Sequence, residues 1–398
     1  MSKILNPIVR LKAKTAQLQI MRGYPWVYSN NIVLDRRTKT IKAGQIVQVQ
    51  SADRMPIATA AFNVNSKIAL RILDLNPSQN IDLPWVASKI KTAFDLRSQM
   101  FDEPFYRLIH AEADGLPGVI IDRFKDTCVI QPNSAWADQH FDMICDALTT
   151  VVPINTFIKN TSGRARKLEG LEVETVLMKG TLSNSPIPVT MNGAIYMADL
   201  AHGQKTGLFF DQRPNHAFGA RLAKGAGVLD VFSHVGGFGL AALAGGANSA
   251  LAIDGSEAAL ELARQGAKAM GFENQFSTRR GDAFDVLAAL TEEGAEFDFV
   301  ICDPPAFASS KKALDAGLRA YEKLARMATP LVKNGGFLGL CSCSHAADLE
   351  KFRAACVRGI SRIGRSAALI HTGFAGPDHP IHPQLSESGY LKALFFRL

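Results

Sequence analysis

At 398 residues the chain is too long for one ordinary hydrophobic core, so two or three domains are expected. The composition, 47% hydrophobic with a net charge of +7, is globular. No apolar core of signal-peptide length opens the chain and no run of about 18 uninterrupted apolar residues follows, which argues against a secreted or membrane-spanning protein and leaves a cytoplasmic one. The charge is uneven: residues 1–75 hold 12 Lys and Arg against 3 Asp and Glu, while the rest holds 32 against 34. A basic domain on a near-neutral body suits phosphate contacts, or simply a solvated basic face. The six cysteines, Cys128, Cys145, Cys302, Cys341, Cys343 and Cys356, form no CxxC pair. Reduced thiols and no metal centre are expected.

In chain order, stretches 17–21, 46–49, 57–62 and 68–73 alternate apolar and polar residues. With Gly23, Gly44 and Pro56 between them they predict a small β-barrel over 1–75. Its basic residues, Arg22, Arg36 and Arg37 among them, are interleaved with Tyr24, Trp26 and Tyr28. Cations for phosphates and rings for bases are the usual mix of an RNA-binding surface, and the same rings could equally fill a small core. A polar, Pro-containing linker at 76–80 leads into an α+β domain spanning 76–186. Helices are expected there over 85–100 and 137–149, and strands over 119–122, 128–131, 156–159 and 173–179. Arg164, Arg166 and Lys167 form its one basic cluster. Pro186-Ile187-Pro188 marks a second boundary.

From 187 to 398 the rhythm is strand, helix, strand, helix. Strands are expected at 228–232, 249–254, 276–279, 297–302 and 336–341, and helices from 238, 256, 283, 313 and 348. This alternation predicts a doubly wound, Rossmann-like parallel sheet that binds its ligand at the carboxyl ends of the strands. The helix at 348–360 puts Leu349, Phe352, Cys356 and Ile360 on one stripe, so Cys356 is core.

The loop Asp230-Val-Phe-Ser233-His-Val-Gly236-Gly237-Phe-Gly239 has glycines that admit a ligand close to the backbone, but lacks the third glycine of a dinucleotide fingerprint. Asp230, Asp254, Asp282 and Asp303 fall at the ends of successive strands, with Ser256 opening the helix after Asp254. Four carboxylates around one crevice repel phosphates and accept from hydroxyls, amines and an ammonium. That describes S-adenosylmethionine better than NAD or ATP. Asp303-Pro304-Pro305-Ala306-Phe307 is a stiff loop offering an acid beside an aromatic plate for a flat nitrogenous ring. Cys343, just past the fifth strand, is expected level with Asp303. A cysteine there is either a small buried hydrophobe or a nucleophile. Beside an acid and a methyl donor the second reading has a use. A thiolate adding at carbon 6 of cytosine makes carbon 5 nucleophilic, and Asp303 could share a proton with ring nitrogen 3.

DVFSHVGGFGLAALAGGA, ICDPPAFA and LGLCSCS, with GQKTGLFFDQRPN at 203–215, RGYPWVYS near residue 22, RLIHAEADGLPGVIIDRF at 107–124 and the C-terminal GPDHPIHPQLSESGYLKALFFRL, resemble the RlmI-like ribosomal RNA (cytosine-5) methyltransferases over essentially the whole chain. The resemblance implies a PUA-like domain, a central α+β domain and a class I methyltransferase domain, with S-adenosylmethionine as cofactor and large-subunit ribosomal RNA as partner. It implies Cys343 as nucleophile, Asp303 facing the base, Asp254 and Asp282 holding ribose and adenine, and Arg213 approaching the methionine end. Ser233-His234-Val235 departs from the family's Ser-Tyr-Thr. An exocyclic-amino RNA methyltransferase and a non-catalytic RNA-binding protein are the alternatives, and a homodimer stays open as an assembly.

Overall fold

The computed structural model describes residues 6–12, 14–172, 177–180, 186–200 and 207–398. Its contacts form two compact units. The first runs to Ser183 and takes in Pro380–Leu385; the second holds Asn184–Gly203, Gly207–His379 and Ser386–Leu398.

The first unit opens with β1 (Ile8–Arg10), α1 (Lys14–Met21), β2 (Trp26–Tyr28), β3 (Ile46–Gln50), β4 (Pro56–Phe62) and β5 (Ile68–Asp74). These strands form one sheet in the order β1-β3-β4-β5-β2. A bridge from Leu11 to Ile32 curls it toward a barrel around Val47, Val49, Ala60, Phe62 and Leu70. Residues 17–21, expected as a strand, are instead the second half of α1. Among the side chains described in α1, the buried ones are Ala16 and Ile20, four positions apart, which is a helical period.

There follow α2 (Leu83–Met100), β6 (Phe105–His110), β7 (Val119–Phe124), β8 (Thr127–Pro132), α3 (Ala135–Gln139), α4 (Phe141–Val151), β9 (Thr156–Lys159), α5 (Arg164–Leu168) and β10 (Leu177–Lys179). The strands make a second sheet, β10-β9-β8-β7-β6, whose core joins Trp85 and Ile90 of α2 to Ile144 and Leu148 of α4. Asp82 caps α2 by accepting from the Trp85 amide. The helix expected over 137–149 is two helices, because His140 leaves helical geometry at ψ 22°. Of the strand expected at 173–179, positions 173–176 lie outside the described residues. Arg166 is not part of a surface basic cluster: it is buried and donates to Asp138 and to the carbonyls of Pro132 and Glu172.

The second unit begins with a hairpin, β11 (Ile187–Met191) and β12 (Ala194–Ala198), so the expected Pro-Ile-Pro boundary lies at the start of a strand. Then come α6 (Arg213–Leu222), β13 (Gly227–Val231), α7 (Gly237–Ala244), β14 (Ser249–Asp254), α8 (Glu257–Ala269), β15 (Phe276–Arg280), α9 (Ala283–Glu292), β16 (Phe297–Cys302), α10 (Leu314–Ala328), β17 (Val332–Ser342), α11 (Leu349–Ser361), β18 (Ala368–Gly373) and β19 (Lys392–Arg397). The sheet order is β15-β14-β13-β16-β17-β19-β18. β13 to β17 are parallel, as the alternation predicts, and their order reverses between β13 and β16, the crevice position of a Rossmann-like fold. β16 is buried from Phe299 to Cys302, as a strand covered by helices on both faces must be. The last strand, β19, inserts antiparallel between β17 and β18. Strand-helix rhythm gives no sign of this insertion, and it matters for the site. Among the described residues no helix is long and apolar enough to cross a membrane.

Candidate active site

The strand register gathers the acids. Val231 pairs with Ile253 on one side and Cys302 on the other, and Asp254 pairs with Arg280, so the carboxyl ends of β13, β14, β15 and β16 share one rim. The four carboxylates differ sharply in environment. Asp230 is 1% exposed and lies beneath the loop, where its Oδ2 accepts from the amides of Phe238 and Gly239 at 3.1 and 2.8 Å. It anchors the first turn of α7 rather than lining the rim, and burial pushes its carboxyl up to about 7. Asp254, half-buried, accepts from His234 N at 2.9 Å and Ser256 N at 2.8 Å, joining the glycine loop to α8. The Ser256 hydroxyl is committed to capping Ala259 N. Asp282 is exposed and caps α9 through Phe284 N and Asp285 N. Asp303 is half-buried directly after β16, and its amide donates to Val231 O.

The glycine loop is strained. Phe232 and His234 take φ of 63° and 50°, left-handed values that bulky residues avoid and that cluster at functional sites. Gly236 supplies a φ of 82°, and a Cβ on Gly237 would stand 2.9 Å from His216 Nε2, so this glycine serves packing on α6. His216 lies between Tyr196 and Phe238, and burial holds its imidazole down to about 3. Around the loop, buried polar atoms lack partners among the described residues: Asp211 Oδ1, His216 Nδ1, Asp230 Oδ1 and Ser233 Oγ. Orphaned polar atoms, an acid rim and a backbone opened by glycine fit a ligand with hydroxyls, an ammonium and a carboxylate, as S-adenosylmethionine has. Arg213, the first residue of α6, faces the buried Asp378, and burial holds its guanidinium below the ordinary range.

Cys343 is the one cysteine of the six that is not buried. The pairing of Cys302 with Leu340 puts Cys341, not Cys343, level with Asp303. The loop then turns back, and Cys343 Sγ lies 4.0 Å from Pro304 O. Cys341 is buried against Gln212 with its thiol pushed well up by desolvation, so it is no nucleophile. The loops carrying Asp303 and Cys343 are laced together. Ala308 N donates to Ser344 Oγ at 3.0 Å, and the Tyr321 hydroxyl lies 2.8 Å from both Ser342 Oγ and Ser344 Oγ.

Two aromatic residues depart from expectation. Phe307 is no open plate: its ring packs with Phe284 at 6.2 Å, Phe232 at 6.4 Å and Tyr321 at 5.0 Å, because the loop seats on α10 where Gly317 leaves no side chain. Trp26 is not free for RNA, since its indole donates to Glu112 and Arg71 covers its ring at 5.7 Å. Arg22, Arg36 and Arg37 are exposed. Sequence reasoning by residue type missed Asp211, Tyr321, Tyr390 and Lys392. Tyr390 donates to Asp211 Oδ2 at 2.5 Å. Both lie in motifs that carried the family resemblance, the one signal available for them.

A profile described as a PUA-like domain matches residues 9–75, and one described as an S-adenosylmethionine-dependent methyltransferase matches residues 180–397. Proteins named ribosomal RNA large subunit methyltransferase I are similar over nearly the whole chain. The one from Aeromonas hydrophila is 33% identical, covering 96% of this chain and 98% of its own length. The one from Shewanella frigidimarina is 33% identical, covering 98% and 99%. Among solved structures, a putative methyltransferase from Streptococcus mutans superposes with a TM-score of 0.82 at 20% identity, covering 98% of this chain and all of that one. A putative methyltransferase in complex with SAH gives 0.81 at 20% identity, covering 99% and 100%.

Proposed function

The chain belongs to the ribosomal RNA large subunit methyltransferase I family of S-adenosylmethionine-dependent methyltransferases, and we propose that it forms 5-methylcytosine in large-subunit ribosomal RNA through a covalent Cys343 adduct. The observation that carries this reading is the placement of the one accessible thiol against the Asp-Pro-Pro loop. Bound S-adenosylmethionine would supply an electrophilic methyl and leave as S-adenosylhomocysteine. Asp254 and Asp282 would hold its ribose and adenine ends, Ser233 and the backbone at Gly236 would line its site, and Arg213 would take the methionine end. The Cys343 thiolate adds to carbon 6 of the cytosine while Asp303 gives a proton to ring nitrogen 3, leaving carbon 5 as an enamine carbon able to take the methyl. Loss of the carbon 5 proton to a base then expels the thiolate, and nitrogen 3 returns its proton to Asp303.

Arg22, Arg36 and Arg37 supply phosphate contacts from the first domain, whose affinity should therefore fall steeply with salt. The site of action is the cytoplasm. A homodimer is supported by the outer strand β18, where Leu369 and Ile370 are exposed, and light scattering of the purified protein tests it.

The decisive experiment incubates the protein with ribosomal RNA containing 5-fluorocytosine. A trapped adduct mapping to Cys343, absent in Cys343→Ala, is expected. Full methyl transfer by Cys343→Ala would move the reading to methylation of an exocyclic amine by the Asp303 loop, which needs no nucleophile.

A further inference from the structure

The C-terminal strand places a lysine where an apolar residue is the ordinary choice. Lys392, the first residue of β19, is 4% exposed, flanked by the buried Leu391 before it and by Ala393 and Leu394 after it. It pairs across the ladder with Ser342, the residue before Cys343. Its Nζ donates to Ser344 O at 2.8 Å and to Ala347 O at 2.7 Å, the backbone just past Cys343. A buried ammonium costs several kcal/mol unless charge and hydrogen bonds compensate, and two neutral carbonyls supply only the second.

The anionic partners are few. Cys343 and Asp348 are the groups whose charge acts on Lys392, set against a burial that pulls it down to about 8. Asp348 caps α11, is exposed and is already paired with Lys351. On α10, the Tyr321 hydroxyl feels the charge of Cys343, and it is occupied by Ser342 and Ser344. Asp303 acts on Cys341, the buried thiol one step back along β17. The sulfur of Cys343 is therefore the anion that an ammonium at this place can favour.

We propose that Lys392 is a positioning residue of the methyl-transfer site: it ties down the loop after β17 by its two carbonyl bonds and favours the thiolate form of Cys343. The proposal rests on reading Cys343 as the nucleophile. It assigns a task to the lysine of the C-terminal GYLK motif, which the insertion of β19 beside β17 brings to this loop. The charge stays on Lys392 throughout, so it moves no proton in the reaction. It acts by holding the attacking atom in place and in its reactive form.

The test reads the thiol and not the turnover. The full-length protein is alkylated with iodoacetamide from pH 5.5 to 10, and the Cys343 peptide is quantified by mass spectrometry. In the wild type the midpoint should lie below the ordinary free-thiol value of about 8.5. In Lys392→Met it should rise by about one unit, making alkylation near pH 7 roughly tenfold slower, while Lys392→Arg stays within about threefold of wild type. Calorimetric binding of S-adenosylhomocysteine and a cooperative melt confirm that each variant is folded. A wild-type midpoint at or above about 8.5, or coincident profiles for wild type and a folded Lys392→Met, would overturn the proposal. If Lys392→Met does not fold, the wild-type midpoint and the arginine variant decide. Methyl transfer by Cys343→Ala is measured in parallel: its persistence would sink the nucleophile reading while leaving the alkylation result to stand or fall alone.

Discussion

In the first unit the buried carboxylates close on arginines, with Arg71 Nε left over, whereas in the second several buried polar atoms around a loop keep no partner among the described residues. Glu169 receives Asn63, Ser66 and Arg71, and Arg71 also reaches Glu112 at 2.6 Å, clamping the first sheet to the second. Arg97 forks onto Asp114 and Arg107 onto Asp122. Around the glycine loop, by contrast, Asp211, His216, Asp230 and Ser233 each keep a buried polar atom without a partner among the described residues. An unsatisfied buried polar group costs about 1–3 kcal/mol. The paired network belongs to the framework, and the unpartnered atoms border the candidate site. Lys392 is of neither kind: its two bonds end on carbonyls rather than on a carboxylate.

The contrast can be broken by substitution. The largest effect is expected at Cys343: Cys343→Ala should lower methyl transfer by about a thousandfold or more while leaving the melting temperature in place, read by tritiated-methyl incorporation into ribosomal RNA. Next is Glu169→Ala, which takes the carboxylate partner from Ser66 and from one Arg71 nitrogen, leaving Arg71 on Glu112 and Asn63 on the residue 169 carbonyl, and should cost about 3 kcal/mol in urea unfolding. Its affinity for S-adenosylhomocysteine should match wild type, and a weaker affinity would show that framework and site are not separate. Asp254→Ala should weaken S-adenosylhomocysteine binding by about tenfold in calorimetry, beside the stability lost with its two backbone bonds.

The smallest effect is one of pH. Asp230 is raised from 3.8 to about 7, so between those values the native state keeps a proton that the unfolded chain has released. Stability therefore falls as pH rises through that window. His216 is lowered from 6.5 to about 3, so between those values the unfolded chain binds the extra proton and stability rises with pH. The two slopes oppose each other in the wild type. Asp230→Asn should remove the first and expose the second, giving stability that climbs from pH 4.5 to 6.5 in urea melts. A flat profile in that variant would contradict the burial assigned to His216.

Much of the second unit was legible from residue order. Five parallel strands, their helices and the acids at the strand ends all follow from periodicity and end signals that act within a few residues, whereas Ser256 and Asp282, read as cofactor contacts, are also helix caps. The first sheet was less legible, since β1 and β2 are three residues long and α1 mimics a strand. The candidate site was legible in part: Cys343 and Asp303 could be named from their loops, but Phe307 and Trp26 were read as open rings when neighbours distant in sequence cover them.

What the sequence determined by itself is whatever a short window decides: burial pattern, turn chemistry, the residue type at a strand end. The tertiary structure decided which acid is buried beneath the loop and which lies at the rim, that the thiol two residues past Cys341 is the accessible one, and that a lysine some fifty positions later stands behind it. Those outcomes depend on strand order, and above all on the antiparallel insertion of β19 beside β17. Pairing across a sheet is set by the total burial of both partners and carries no mark in the local periodicity of either.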